Sequence, residues 1–90
     1  MTADEIKTTV LRLIGEVAPE ADLTRLKPDV SFREQLDIDS MDFLNLVIAI
    51  HETLHVEIPE TDYAQVATLD GCVRYVLARV GPSSGRRSPA

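Results

Sequence analysis

Tryptophan is absent from this 90-residue chain, and only two phenylalanines and two tyrosines stand among its 44% hydrophobic residues. The core is therefore expected to be aliphatic, built from Leu, Ile and Val. A core of that size stabilises a domain only marginally. It is too small to wall a deep catalytic cleft, which favours a binding, carrying or interaction module over an enzyme. Cys72 is the lone cysteine, which excludes a disulfide framework and a cysteine-based metal site. No apolar run follows basic residues at the N-terminus, and no apolar stretch approaches the ~20 residues of a membrane span. No signal peptide and no membrane insertion are expected, and the chain reads as cytoplasmic. Bases are missing too, but only in one place. Between Glu34 and Val73 there is no Lys or Arg, while nine acids fall there, in a chain of formal charge −6. Such a span repels phosphate backbones, so nucleic acid is not an expected partner. It attracts basic protein surfaces and speeds encounters with them.

What is present reads as helices. Thr2-Ala-Asp-Glu5 has the capping-box pattern, and Ile6, Val10, Leu13, Ile14 and Val17 follow at helical spacing. Pro19 closes this first helix, placed at about 3–17. Residues 18–38 hold Pro19 and Pro28, with Leu23, Leu26, Val30, Phe32 and Leu36 scattered without a period. They form a long loop, expected to be ordered by plugging those side chains into the core, with a helical turn beginning at Ser31-Phe-Arg-Glu34. Asp39 or Ser40 opens a second helix running to about His55. Val56-Glu-Ile-Pro59 reads as extended, because the residue before proline disfavours the α region. Glu60 to Val66 gives a short helix. Thr68 then caps a last helix carrying Leu69, Val73, Val76, Leu77 and Val80 on one face, and Gly81-Pro82 ends it. The expected fold is an all-α bundle of three to four helices with a long loop between helices 1 and 2. One domain spans 1–80, and 81–90 is a disordered tail.

The second helix has two apolar faces. At ~100° per residue with Met41 at zero, Phe43, Leu46, Val47, Ile50 and Leu54 make one broad stripe, the core face. On the opposite side Met41, Leu44 and Ile48, spaced i, i+3, i+7, make a narrower line bordered by Asn45, His51, Glu52 and His55. A loop or neighbouring helix could cover that line. Alternatively it is a docking ridge, since apolar anchors with a charged rim are what a helix needs to sit in a partner's groove. Met41 suits contact with several partner shapes.

Ser40 stands at the head of this helix. Asp39, with Asp42 three residues on, makes a capping pair, and Ser40 is itself a good cap. In that role Ser40→Ala would cost about 1 kcal/mol. No G-x-S-x-G elbow or nearby His activates it, which argues against serine hydrolysis. His51 and His55 have i, i+4 spacing suited to a metal, but no third ligand is assured, and none is expected. Asp37-x-Asp39 fails as a calcium loop, with Asp42 at the sixth position and Ile48 at the twelfth. Cys72 reads as a small core or boundary residue. An exposed serine in an acidic patch, at one end of an apolar ridge, suits a hydroxyl modified by another enzyme.

"LDIDSMDFLNLVIAIHETLHVEIPE", residues 36–60, resembles the acyl carrier proteins. Asp-Ser, a bulky apolar residue, an acid and an Ile-Pro-Glu exit carry the resemblance, which covers about residues 2–80. It implies that Ser40 receives 4′-phosphopantetheine from coenzyme A, through a phosphopantetheinyl transferase with Mg²⁺. The arm's thiol would hold an acyl group, or in aminoacyl and peptidyl carriers an amino acid, as a thioester. Asp39 matches the acid before the serine, supporting the helix start and the transferase encounter. Met41 replaces the commoner leucine, and Asp42 matches the acid after it. Leu44 and Ile48 match exposed partner-contacting positions, and Glu52 an acid lower on that face. Departures are Asp37 for a glycine, Asn45 and His51 for acids, and the bulkier Phe43. They point to a specialised carrier with a less negative docking face, which His51 and His55 border. The implied partners are the transferase and acyl-loading and acyl-transferring enzymes with basic docking surfaces, serving a monomer that is not itself an enzyme. A reading from a different class is an acidic helical interaction module without covalent cargo.

Overall fold

The computed structural model describes residues 2–80. They form helices α1 (Ala3–Val17), α2 (Phe32–Gln35), α3 (Ser40–Leu54) and α4 (Leu69–Val80), with 3-10 segments at Leu23–Arg25 and Glu60–Val66. No strand occurs among the described residues, so the all-α expectation holds. The expected tail, 81–90, lies outside them. α1 packs against both α3 and α4, and the second 3-10 segment packs against α4.

α1 begins where the capping pattern places it. The Glu5 amide donates to Thr2 Oγ1 at 3.1 Å, and the Thr2 amide donates to Glu5 Oε1 at 2.8 Å. Two amides that the helix start would leave unpaired are satisfied together. The spacing then buries Ile6, Val10, Leu13 and Ile14 on one face. α3 supplies Phe43, Leu46, Val47, Ile50 and Leu54, and α4 supplies Leu69, Cys72, Tyr75 and Val76. Burying each large aliphatic side chain stabilises the fold by about 1.5–3 kcal/mol. Cys72 belongs wholly to this core: burial pushes its thiol up to about 12, so it is not a thiolate at neutral pH.

The long loop is ordered by three ties. Phe32 is completely buried, and its amide donates to the Ala67 carbonyl at 2.8 Å. The Gln35 side chain accepts from the Lys27 amide at 2.8 Å and donates to the carbonyls of Lys27 and Val30 at 2.7 and 2.8 Å. The Asp70 amide donates to the Pro28 carbonyl at 2.9 Å. Phe32 begins α2, so the helical turn expected at Ser31–Glu34 forms around the side chain that anchors the loop.

Glu60–Val66 winds as a 3-10 helix. Eight residues between Pro59 and the Thr68 cap give little room for α turns, and the tighter winding suits short spans. Two features let this segment lie close against α4. The Tyr75 hydroxyl donates to Asp62 Oδ2 at 2.6 Å, while Arg79 lies 3.5 Å from the same oxygen and 3.5 Å over the Tyr75 ring. Burial of the ring and the bond to Asp62 raise the Tyr75 hydroxyl above its ordinary pKa, so it stays a donor at neutral pH. The second feature is Gly71. Its amide donates to Thr68 Oγ1 at 3.0 Å, completing the expected cap. A Cβ at Gly71 would stand 2.3 Å from the Gln65 carbonyl oxygen.

Helix propensity alone favours Gly→Ala by about 1 kcal/mol. At Gly71 the backbone collision reverses the sign. Gly71→Ala is expected to destabilise the protein by about 1–3 kcal/mol, read as a lowered midpoint in urea unfolding. A raised midpoint would show that Gln65 yields freely.

Candidate functional site

α3 is capped by Asp39. Its Oδ1 accepts from the Asp42 amide at 2.9 Å, while the Asp39 carbonyl accepts from the Phe43 amide at 3.0 Å. Ser40 is the first residue inside the helix, exposed, and its hydroxyl makes no hydrogen bond among the described residues. Of the two residues that suit the cap, Asp39 takes the place and Ser40 does not. An N-cap residue stands outside the helix with extended backbone, and it is Asp39 that has φ −95°, ψ −176°. Only one half of the capping pair forms. Asp42 lies in the first turn, adding negative charge where the helix dipole favours it.

Three residues upstream, Asp37 has φ 54°, in the left-handed region that favours glycine. Aspartate tolerates that region better than most side chains, because its short polar group hydrogen-bonds locally. It therefore occupies a position with glycine's conformational demand, one residue past the end cap of α2, where helices often leave through this conformation.

The two faces of α3 separate as the wheel predicts. The core stripe is buried, whereas Met41 and Ile48 are 65% and 44% exposed. Asn45, His51 and Glu52 are also exposed, and Asp42 and Leu44 are half-buried. The outward line is thus left open at both ends, and only Leu44 at its middle is partly covered. The helix stops at Leu54. His55 swings to φ 57° and leaves the helical path, which breaks the His51/His55 spacing. His51 is committed elsewhere: its Nδ1 lies 2.9 Å from the Val56 carbonyl. A carbonyl only accepts, so Nδ1 carries the hydrogen. Among the described residues no cluster of three metal-capable side chains occurs.

Beside Ser40 lies an open groove of about 720 Å³ that sequence reasoning missed. Phe43 and Leu44 of α3 form one wall, and Tyr63, Ala64 and Ala67 form the other. Ser31, Arg33 and Glu60 complete its lining. Phe43 and Tyr63 meet edge to face, 6.1 Å between ring centres, across the two walls. The groove exists because the Phe32–Ala67 bond draws α2 against the end of the 3-10 segment. That pairing spans 35 residues of chain, and no periodicity in the sequence signals it.

The geometry separates two neighbouring residues energetically. Asp39→Ala removes the cap and is expected to cost about 1 kcal/mol, whereas Ser40→Ala is expected to stay within about 0.5 kcal/mol of the parent. Urea unfolding of both variants checks this. Equal losses would return Ser40 to the cap.

Comparison with known proteins bears on what a free serine at this place does. The family described as "Phosphopantetheine attachment site" matches residues 5–76. The acyl carrier protein of Lactobacillus johnsonii is 33% identical over 76 residues, covering 84% of this chain and 94% of the relative. That of Wolinella succinogenes is 36% identical over 73 residues, covering 81% and 90%. A solved structure of the acyl carrier protein from Enterococcus faecalis superposes with a TM-score of 0.74 at 19% identity, covering 88% of this chain and 99% of that one. The last is a likeness of fold; the match over 5–76 and the two relatives extend through the sequence. The chain belongs to the acyl carrier protein family, whose phosphopantetheine-attachment domain carries 4′-phosphopantetheine covalently.

Proposed function

We propose that Ser40 is the attachment residue and that the exposed face of α3 docks the enzymes that load and unload the carrier. The observation that carries this reading is the Ser40 hydroxyl: exposed, free of intramolecular bonds among the described residues, and relieved of capping by Asp39. The surroundings fit the group. The first-turn amides of Ser40 and Met41 lie at the positive end of the helix dipole, where a phosphate ester's charge is favoured. An open groove begins at Ser40. When attached, the arm supplies a terminal thiol on which an acyl group is held.

The chain's own residues do the rest. Asp39 holds the helix start so that the Ser40 hydroxyl projects from a fixed turn. Asp42 and Glu52 present negative charge that steers basic partner surfaces. Met41, Leu44 and Ile48 supply apolar contact over a small area, which suits encounters that must end after each transfer. The chain thus acts as a carrier and leaves bond-making to its partners. Asn45 and His51, both exposed where acids would deepen the negative field, support service to a dedicated set of acyl-transferring enzymes rather than general use.

The test of attachment is intact mass after incubation with coenzyme A, Mg²⁺ and a broad-specificity phosphopantetheinyl transferase. The parent is expected to gain one phosphopantetheine and Ser40→Ala none. No gain in a folded parent across several transferases would favour the interaction module. The docking face has its own measurement: Met41→Ala and Ile48→Ala are each expected to lower kcat/KM for loading roughly fivefold, equivalent to about 1 kcal/mol. Both residues are exposed, so urea midpoints should barely move. Loading at the parental rate would remove them from the interface.

A further inference from the structure

The charge around Ser40 poses a problem for the anion it is proposed to carry. A phosphodiester at this position lies beside Asp39 and Asp42, in a stretch from Glu34 to Val73 without Lys or Arg. The groove contains one answer. Arg33, the last base before that stretch, is the only cation among the groove-lining residues that include Ser40. It is exposed, and it belongs to neither of the ion pairs found among the described residues, which join Arg12 to Glu16 and Arg79 to Asp62. Glu60 lines the same groove and is likewise in neither pair.

Nor is Arg33 on a loose segment. Phe32, its immediate neighbour, is completely buried and bonded through its amide to Ala67. Gln35, two residues on, is tied by three hydrogen bonds to Lys27 and Val30. The backbone that carries the guanidinium is fixed on both sides, so only the side chain has to be ordered when it meets an anion. A guanidinium also offers a planar fork that matches two phosphate oxygens, which an ammonium does not. We infer that Arg33 is a binding residue for the phosphodiester on Ser40, drawing the proximal arm toward the Ser31–Arg33 side of the groove. This rests on the reading of Ser40 as the attachment residue. The pairing offsets the repulsion from Asp39 and Asp42, and it gives the arm a resting position beside the apolar wall of Phe43, Leu44 and Tyr63. Because the pair faces solvent, salt weakens it, and a docking partner with basic groups can take the phosphate over.

The test uses the full-length protein, loaded with phosphopantetheine and verified by intact mass, with Arg33→Gln and Arg33→Lys loaded alongside. The readout is the ³¹P resonance of the phosphodiester relative to free phosphopantetheine, at low and high salt. The parent is expected to show a displaced resonance that relaxes toward the free value as salt rises. In Arg33→Gln the displacement is expected to shrink roughly two- to fivefold, the range for an exposed ion pair. Arg33→Lys keeps the charge without the fork and is expected to fall between. Thermal unfolding of the unloaded variants should match the parent, because Arg33 is exposed. Equal displacement in the loaded parent and Arg33→Gln, or no displacement in the loaded parent, would overturn the pairing while leaving attachment intact. Absence of a mass gain at Ser40 would overturn attachment, and the pairing with it.

Discussion

Phe32 is where the long loop becomes part of the domain. Its ring is completely buried, and its amide reaches the Ala67 carbonyl at the end of the second 3-10 segment. Ring and amide together fix α2 in place and orientation. Removing a buried aromatic of this kind costs about 3–5 kcal/mol, a large share of what a domain this small possesses. The groove beside Ser40 depends on this anchor, because α2 and the 3-10 segment supply most of the lining opposite α3. So does the position of Arg33, which has no buried contact of its own.

α3 works under two opposed demands. One face must be apolar to close the core against α1, while the other carries apolar side chains that the helix must leave unburied at home. The helix meets both by making the faces unequal. Five large residues lie inward, each stabilising by about 1.5–3 kcal/mol. Outward, Met41 and Ile48 are separated by polar side chains, with Leu44 half-covered between them. The inner face therefore decides how the helix packs, and the outer one remains free. His55 ends the helix with a left-handed turn, and His51 fastens the departing chain through the Val56 carbonyl.

The wall of the groove opposite α3 is held by different ties. Tyr75, buried in the core, and Asp62 and Arg79 at its edge join the 3-10 segment to α4, and the partly exposed Asp62–Arg79 pair contributes ~1 kcal/mol or less. Gly71 allows the segment to approach α4 closely rather than pulling it there. Val66 anchors the segment in the core, where it is completely buried. The groove is thus bounded by α3 on one side and the 3-10 segment on the other, with the Phe43–Tyr63 contact crossing between them.

The sequence by itself determined the helices, the core face of α3 and the place of Ser40. Capping at Thr2 and Thr68, helical spacing of aliphatics and the extended run into Pro59 are local signals, acting over three to eight residues, and they dictated local structure. The Asp-Ser step and the Ile-Pro-Glu exit likewise lie in one contiguous run, so the family could be read directly. Tertiary structure alone decided which of Asp39 and Ser40 is the cap, because both suit that role and the choice turns on where the backbone enters the helix. It alone released His55 from the helix, since a left-handed exit at a histidine has no strong local code. It also made the groove. Ser31 and Arg33 meet Tyr63 and Ala67 across roughly thirty residues of chain, and a contact of that separation is set by the shape of the packed core, which no local pattern encodes.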